Sequence, residues 1–192
     1  MSKDLLFQDE IRNVVARAYS AIPSGGGKDA IGRFYDDEQL ADLPHGAIAW
    51  ALGVGNPVRH AGLVPGEVVL DLGCGAGIDT ILAARQVGPS GRVIGLDMLD
   101  EMCWRAHATA NAAGVAGSTE FKRGEMEAIP LPDESVDVVI SNGVLNLSPR
   151  KARALAEVHR VLRPGGRLCV ADLTVEDDLP PEVLTSESAW AG

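Results

Sequence analysis

Val68-Val69-Leu70-Asp71-Leu72-Gly73-Cys74-Gly75-Ala76-Gly77 is the stretch that decides the fold. Val68–Leu72, aliphatic except for one acid, reads as a strand. Three glycines at alternate positions break it, and a helical pattern runs from Ile78 to Val87. A strand feeding a helix through a turn with almost no side chains lets backbone N–H groups come close to a ligand. Further along, Arg92-Val93-Ile94-Gly95-Leu96-Asp97 supplies a second aliphatic strand ending in a second carboxylate. An acid at that tip is placed to accept hydrogen bonds from ribose hydroxyls. The two segments together imply a nucleoside-bearing ligand lying across the ends of two parallel strands.

The spacing narrows the ligand. A dinucleotide fingerprint carries its third glycine three residues after the second. Here that position is Ile78, and the third glycine comes early, at Gly77. Asp71, just inside the turn, would repel a pyrophosphate but suits a cation. The sulfonium and amino groups of S-adenosylmethionine meet that requirement.

Composition bounds the remaining choices. At 192 residues, with 46% hydrophobic and 23% charged, the chain has the size and profile of about one globular domain. No apolar run approaches the ~20 residues needed to span a bilayer, so no membrane partner is expected. Met1-Ser2-Lys3-Asp4 carries no signal-peptide pattern. Three cysteines lack both disulfide regularity and zinc-ligand spacing, which points to a cytoplasmic protein with no metal. A formal charge of −10 disfavours nucleic acid, whose binding rests on clustered Lys and Arg.

Residues from Leu5 to Ile22 repeat apolar groups at helical spacing: Ile11, Val14, Val15, Ala18, Tyr19 and Ile22. Pro23-Ser24-Gly25-Gly26-Gly27 reads as a loop. Residues 1–64 are expected to form a helical N-terminal cap, and residues 65–174 a cofactor-binding core. Strands are expected near Val68–Leu72, Arg92–Asp97, Thr119–Arg123, Val136–Ser141 and Arg167–Asp172. Helices are expected near Ala76–Val87, Asp100–Ala113 and Pro149–Leu162, the last with Ser148 at its N-cap and Pro149 first in the helix. Gly88 and Gly114 suit the ends of the other two. Such alternation gives an α/β, Rossmann-like, doubly wound and mostly parallel sheet. Residues 175–192 read as an acidic tail, with the later strands of such a sheet apparently missing. The fifth strand is then an exposed edge, which a second copy of this chain, a partner chain, the N-terminal segment or the tail would cover.

The pattern resembles the class I S-adenosylmethionine-dependent methyltransferases. Val69–Gly77 looks like their first motif, and Asp97 like the acid of their second. Gly124-Glu125-Met126-Glu127 with Leu131-Pro132 looks like their adenine-side motif, and Arg160–Gly166 like the turn before their fifth strand. Tyr35–Leu40, Gly53-Val54-Gly55-Asn56-Pro57, Val87–Gly91 and Ile140–Pro149 resemble the arsenite methyltransferase branch more closely. That branch holds trivalent arsenic on cysteine thiolates. It would carry one where this chain has Val54, a second where it has Gly143, and a third beyond the end of this chain. Soft arsenic needs soft ligands. Cys74, Cys103 and Cys169 read as small buried residues instead.

The resemblance implies S-adenosylmethionine as methyl donor, S-adenosylhomocysteine as product, and a small-molecule acceptor other than arsenite. A partner-dependent or non-catalytic binding subunit is one alternative, and arsenite methylation without those thiols is another. Implied cofactor-binding residues are Asp71, Gly73, Cys74, Gly75, Gly77, Asp97, Met98, Glu125, Met126 and Asn142. Asp71 would orient the turn or bind the methionine amino group. Asp97 would hold the ribose, with Met98, Glu125 and Met126 around adenine. Asn142 would face the methyl donor, or else cap its own turn. Asn142, His45 and Tyr35 are catalytic candidates; should the acceptor need a base, it would come from His45, His60, Tyr35 or Asp36. His107 and His159 read as structural.

Overall fold

The computed structural model describes residues 3–21, 31–52 and 54–174. Ile22, the loop expected at 23–27, Gly53 and the expected acidic tail lie outside the described residues. Among the described residues the first helices are α1 (Lys3–Ser20), α2 (Asp37–Ala41), α3 (His45–Ala49) and α4 (Pro57–His60). Strand and helix then alternate through β1 (Val68–Leu72), α5 (Ile78–Val87), β2 (Arg92–Asp97), α6 (Asp100–Ala112) and β3 (Thr119–Arg123). The series closes with β4 (Val136–Asn142), α7 (Lys151–Val161) and β5 (Leu162–Ala171).

The five strands form one sheet in the order β3-β2-β1-β4-β5, every pair parallel. The chain moves outward in one direction from β1 to β3, then returns to the other side of β1. This reversal leaves a crevice above β1 and β4, the place where ligands bind on such sheets. Register brings the tips level: Leu72 pairs with Leu96 of β2 and with Ser141 of β4.

The central strands are apolar along most of their length because helices cover both faces. Val69, Val138 and Ile140 pack with Ile81, Ala84 and Val87 of α5, and with Ile31, Tyr35 and Val58 of the N-terminal segment. Leu70, Leu72 and Val139 pack on the other face with Val158 and Val161 of α7. Each such side chain contributes about 1.5–3 kcal/mol on burial, so this double layer dominates the stability of the sheet.

Three element starts differ from expectation. Gly77, at φ 89°, adopts the left-handed conformation that starts α5 at Ile78 rather than Ala76. The helix expected from Pro149 begins at Lys151, with Arg150 at its N-cap. Ser148 is drawn away by the neighbouring loop: its hydroxyl donates to Glu127 at 2.5 Å and accepts the Arg150 N–H at 3.1 Å. β5 begins at Leu162, which pairs with Val136, but the register then jumps so that Arg167 pairs with Val138. The turn Arg163–Gly166 bulges out between them, and continuous pairing begins at Arg167 as expected.

Among the described residues β5 is an outer edge, with Leu168 and Val170 exposed. Arg167 ties it inward, donating to both oxygens of Glu67 (2.6 and 2.8 Å) and to the carbonyls of Ala61 and Gly62 (2.6 and 2.7 Å). Arg167→Ala is expected to lower unfolding stability by about 2 kcal/mol, after allowance for solvent screening at this partly exposed pair. A urea midpoint unchanged from wild type would exclude that role.

Candidate active site

A cavity opens above the tips of β1, β2 and β4. Its floor is the β1–α5 turn, which folds tightly because Gly73 sits at φ 77°, where a Cβ would lie 2.4 Å from Val144. The N–H groups of Gly73 and Cys74 bond the Leu96 carbonyl at 2.8 and 2.9 Å, locking the turn to β2. Asp97 at the β2 tip is held by backbone alone: one oxygen accepts the Gly75 N–H and the other the Leu99 N–H, each at 3.0 Å. Burial pushes its carboxyl pKa up, partly offset by those N–H groups.

Leu96, Met98, Leu99, Met102 and Met126 line the cavity beside Asp97 with apolar side chains. Glu125 and Glu127 flank it and pair with Arg12 of α1 at 3.3 and 3.9 Å. Val15, Ala16 and Tyr19 of α1 complete that wall. Trp50, Leu52, Gly143, Val144 and Leu147 also line the cavity. Trp50 is pinned by the Arg105 guanidinium, 3.4 Å from its ring centroid.

Below the β1–β4 crevice lies a buried polar knot. The Tyr35 hydroxyl donates to Asp79 Oδ1 at 2.8 Å, and Asn142 Nδ2 donates to Asp79 Oδ2 at 3.0 Å. Asn142 also donates to the Gly55 carbonyl at 2.9 Å. Behind it the Thr80 hydroxyl donates to Asp71 Oδ2 at 2.5 Å. Burial pushes both carboxyls up, Asp71 further through the nearby charge of Asp79. Tyr35 is driven far above the ordinary phenol range by burial and by Asp79, so it stays protonated.

Of the residues implied for the cofactor, Gly73, Cys74, Gly75, Asp97, Met98, Glu125, Met126 and Asn142 line the cavity. Asp71 and Gly77 do not. Asp71 lies behind the turn on Thr80, and Gly77 packs against Ala106 and Thr109 of α6. The proposed bases are also displaced. His45 is an exposed residue in α3, Asp36 caps α2 with Gln39, His60 borders a separate shallow pocket beside β5, and Tyr35 sits beneath Asp79. His107 and His159 are exposed on α6 and α7.

Asp79, Trp50, Leu52 and the α1 residues were not singled out from sequence. Asp79 follows the glycine turn by two residues, and that proximity was the available signal. The cavity presents four carboxylates (Asp79, Asp97, Glu125 and Glu127) and one cation, Arg12, among the described residues. A pyrophosphate does not fit that charge balance, whereas an adenosyl sulfonium does.

A family model described as "Methyltransferase domain" matches residues 63–192. The chain belongs to the methyltransferase-domain family. Within these methyltransferases it is related to the arsenite branch: an arsenite methyltransferase of Halobacterium salinarum is 46% identical over 158 residues. That match covers 82% of this chain but 40% of the relative, so the chain spans less than half of that protein's length. A ubiquinone/menaquinone biosynthesis C-methyltransferase of Marinomonas sp. is 30% identical over 173 residues, covering 87% of this chain and 68% of the relative. An arsenic(III) S-adenosylmethionine methyltransferase from Chlamydomonas reinhardtii superposes with a TM-score of 0.63 at 35% identity, covering 93% of this chain and 56% of that one.

Two outcomes are expected. Asp97→Ala should weaken S-adenosylmethionine binding by roughly 1–3 kcal/mol in calorimetry, the scale for charged hydrogen bonds. Separately, the raised folded-state pKa values of Asp71 and Asp79 favour the fold while both are protonated. That contribution is complete below the unfolded carboxylate range and is lost as pH rises toward and through neutrality. The melting temperature of the ligand-free protein should therefore fall over that window, and replacing Asp71 by Asn should flatten the decline.

Proposed function

We propose that this chain transfers a methyl group from S-adenosylmethionine to a small apolar acceptor other than arsenite. The supporting observation is the meeting of two residues: a Cβ on Gly143 would lie 3.1 Å from Val54 Cγ2. These are the two positions at which the resembled arsenite branch carries thiolates, and here they present an isopropyl group and a hydrogen. The remaining thiols are no substitute. Cys74 is buried, with its pKa pushed well above the ordinary thiol range, and burial raises Cys103 to about 11.

The residues present suit the donor. Asp97 would hold ribose hydroxyls, the methionine-lined slot would take adenine, and the bare turn at Gly73 and Gly75 would admit the methionyl chain. The donor supplies a methyl group already activated by positive sulfur. The protein's part is alignment and exclusion of water. Trp50, Leu52, Val144 and Leu147 would shape a dry compartment for the acceptor. Residues 1–64 act in this reading as a cap on a core of residues 65–174. The free thiols fit a reducing cytoplasm, and no helix among the described residues is long and apolar enough to cross a membrane.

The C-methyltransferase named above broadens the acceptor class toward electron-rich ring carbons. A screen of labelled methyl transfer from S-adenosylmethionine into small apolar phenols and hydroquinones tests this. Arsenite with excess thiol should yield no labelled arsenical, and a labelled arsenical would refute the assignment. Replacing Val54 and Gly143 together by Cys should create arsenite retention through gel filtration, against a backbone strain of about 1–2 kcal/mol at position 143. A second reading, activity only with a partner, is favoured by the exposed Leu168 and Val170 on the β5 edge. Transfer by the purified chain alone would exclude it.

A further inference from the structure

We propose that a second site, apart from the cavity above the strand tips, binds a small phosphate monoester between the N-terminal segment and β5. Arg33, Arg59 and His60 line this pocket, and no acidic residue is among its described lining residues. It shares no lining residue with the larger cavity. The proposal therefore stands or falls independently of methyl transfer.

The charge pattern sets the pocket apart. The chain carries a formal charge of −10, and most of its arginines serve its own acids. Arg92 pairs with Glu120, Arg105 with Glu101, Arg123 with Asp100, Arg163 with Asp137 and Arg167 with Glu67. Arg33, Arg59 and His60 have no carboxylate partner among the described residues. Asp36, the acid nearest Arg33 in sequence, caps α2 by accepting the Gln39 N–H at 2.9 Å. Two guanidinium groups lining one recess repel each other, and an anion between them reverses the sign of that interaction.

One buried side chain fixes both arginine-bearing segments. Asn56, only 6% exposed, donates from Nδ2 to the Phe34 carbonyl at 3.2 Å and to Gln39 Oε1 at 3.0 Å. Its Oδ1 accepts the Arg59 N–H at 3.0 Å. The same loop is seated on β5. Cys169 Sγ donates to the Pro57 carbonyl at 3.3 Å, and a Cβ on Gly55 would stand 2.5 Å from Ala171 Cβ. The backbone that carries Arg33 and Arg59 is thus set before a ligand arrives, which lowers the ordering cost of binding.

The donors select the ligand. Guanidinium forks bind oxyanions bidentately, and an imidazole N–H adds a further donor. A phosphate monoester offers three terminal oxygens to the three side chains, whereas a carboxylate offers two. Phe34, Pro57 and Val170 give the carbon body of the ester an apolar wall.

The test is calorimetric titration of the whole chain with phenyl phosphate, at an ionic strength matched with sodium chloride so that general screening stays constant. Binding to a single saturable site is expected. Arg33→Ala and Arg59→Ala should each weaken it by about tenfold or more, the scale of lost charged hydrogen bonds. Arg59→Lys should weaken it less, keeping the charge but losing the fork. Arg123→Ala removes a cation paired with Asp100 elsewhere and should leave binding unchanged. These arginines are all exposed, so the variants should melt with wild type. Benzoate and inorganic phosphate should both bind more weakly than phenyl phosphate. Equal or tighter binding of either would reject the monoester. Failure of phenyl phosphate to saturate, full affinity in either pocket variant, or an equal loss in Arg123→Ala would overturn the site itself.

Discussion

The missing side chain at position 73 governs the geometry of the whole ligand end. With Val144 2.4 Å from where a Cβ would stand, the β1–α5 turn and the β4 tip can approach only through glycine. That approach lets the turn's N–H groups reach the Leu96 carbonyl. It also lets Asp97 clasp Gly75 from the β2 tip. Because β1, β2 and β4 end at one level, three strand tips supply the floor without any loop having to reach far.

Electrostatics follow from this floor. Parallel strands end beneath helix N-termini, and the chain places acids at and just beyond those ends. Some are neutralised by backbone donors or by Arg12, and burial leaves others close to protonation. A cavity so arranged suits a cation better than a phosphate. Aliphatic and aromatic side chains line the same cavity beside these acids.

Much of this was legible in the residue order. The strand segments and the acid at Asp97 stand out because continuous aliphatic runs and glycine spacing are local signals. Helix starts were less legible: Ser148 has the composition of an N-cap, yet Glu127, distant in sequence, takes its hydroxyl. Asp71 lies behind the turn on Thr80 while Asp79, at the start of α5, lines the cavity, a difference that depends on how strand and helix are packed together. The contribution of α1 to the wall was hidden for a similar reason. Its apolar stripe foretells a buried face but not which surface receives it.

α1 borders the cavity through an ionic clasp, Arg12 with Glu125 and Glu127, on a segment that adds no strand to the sheet among the described residues. Glu125 is half exposed, so mobile ions compete for this clasp. Ligand entry and escape at that side should therefore quicken in concentrated salt, while the floor beneath, knit by main-chain bonds, stays as it is. The residence of any ligand beneath α1 would thus depend on the surrounding electrolyte as well as on the protein.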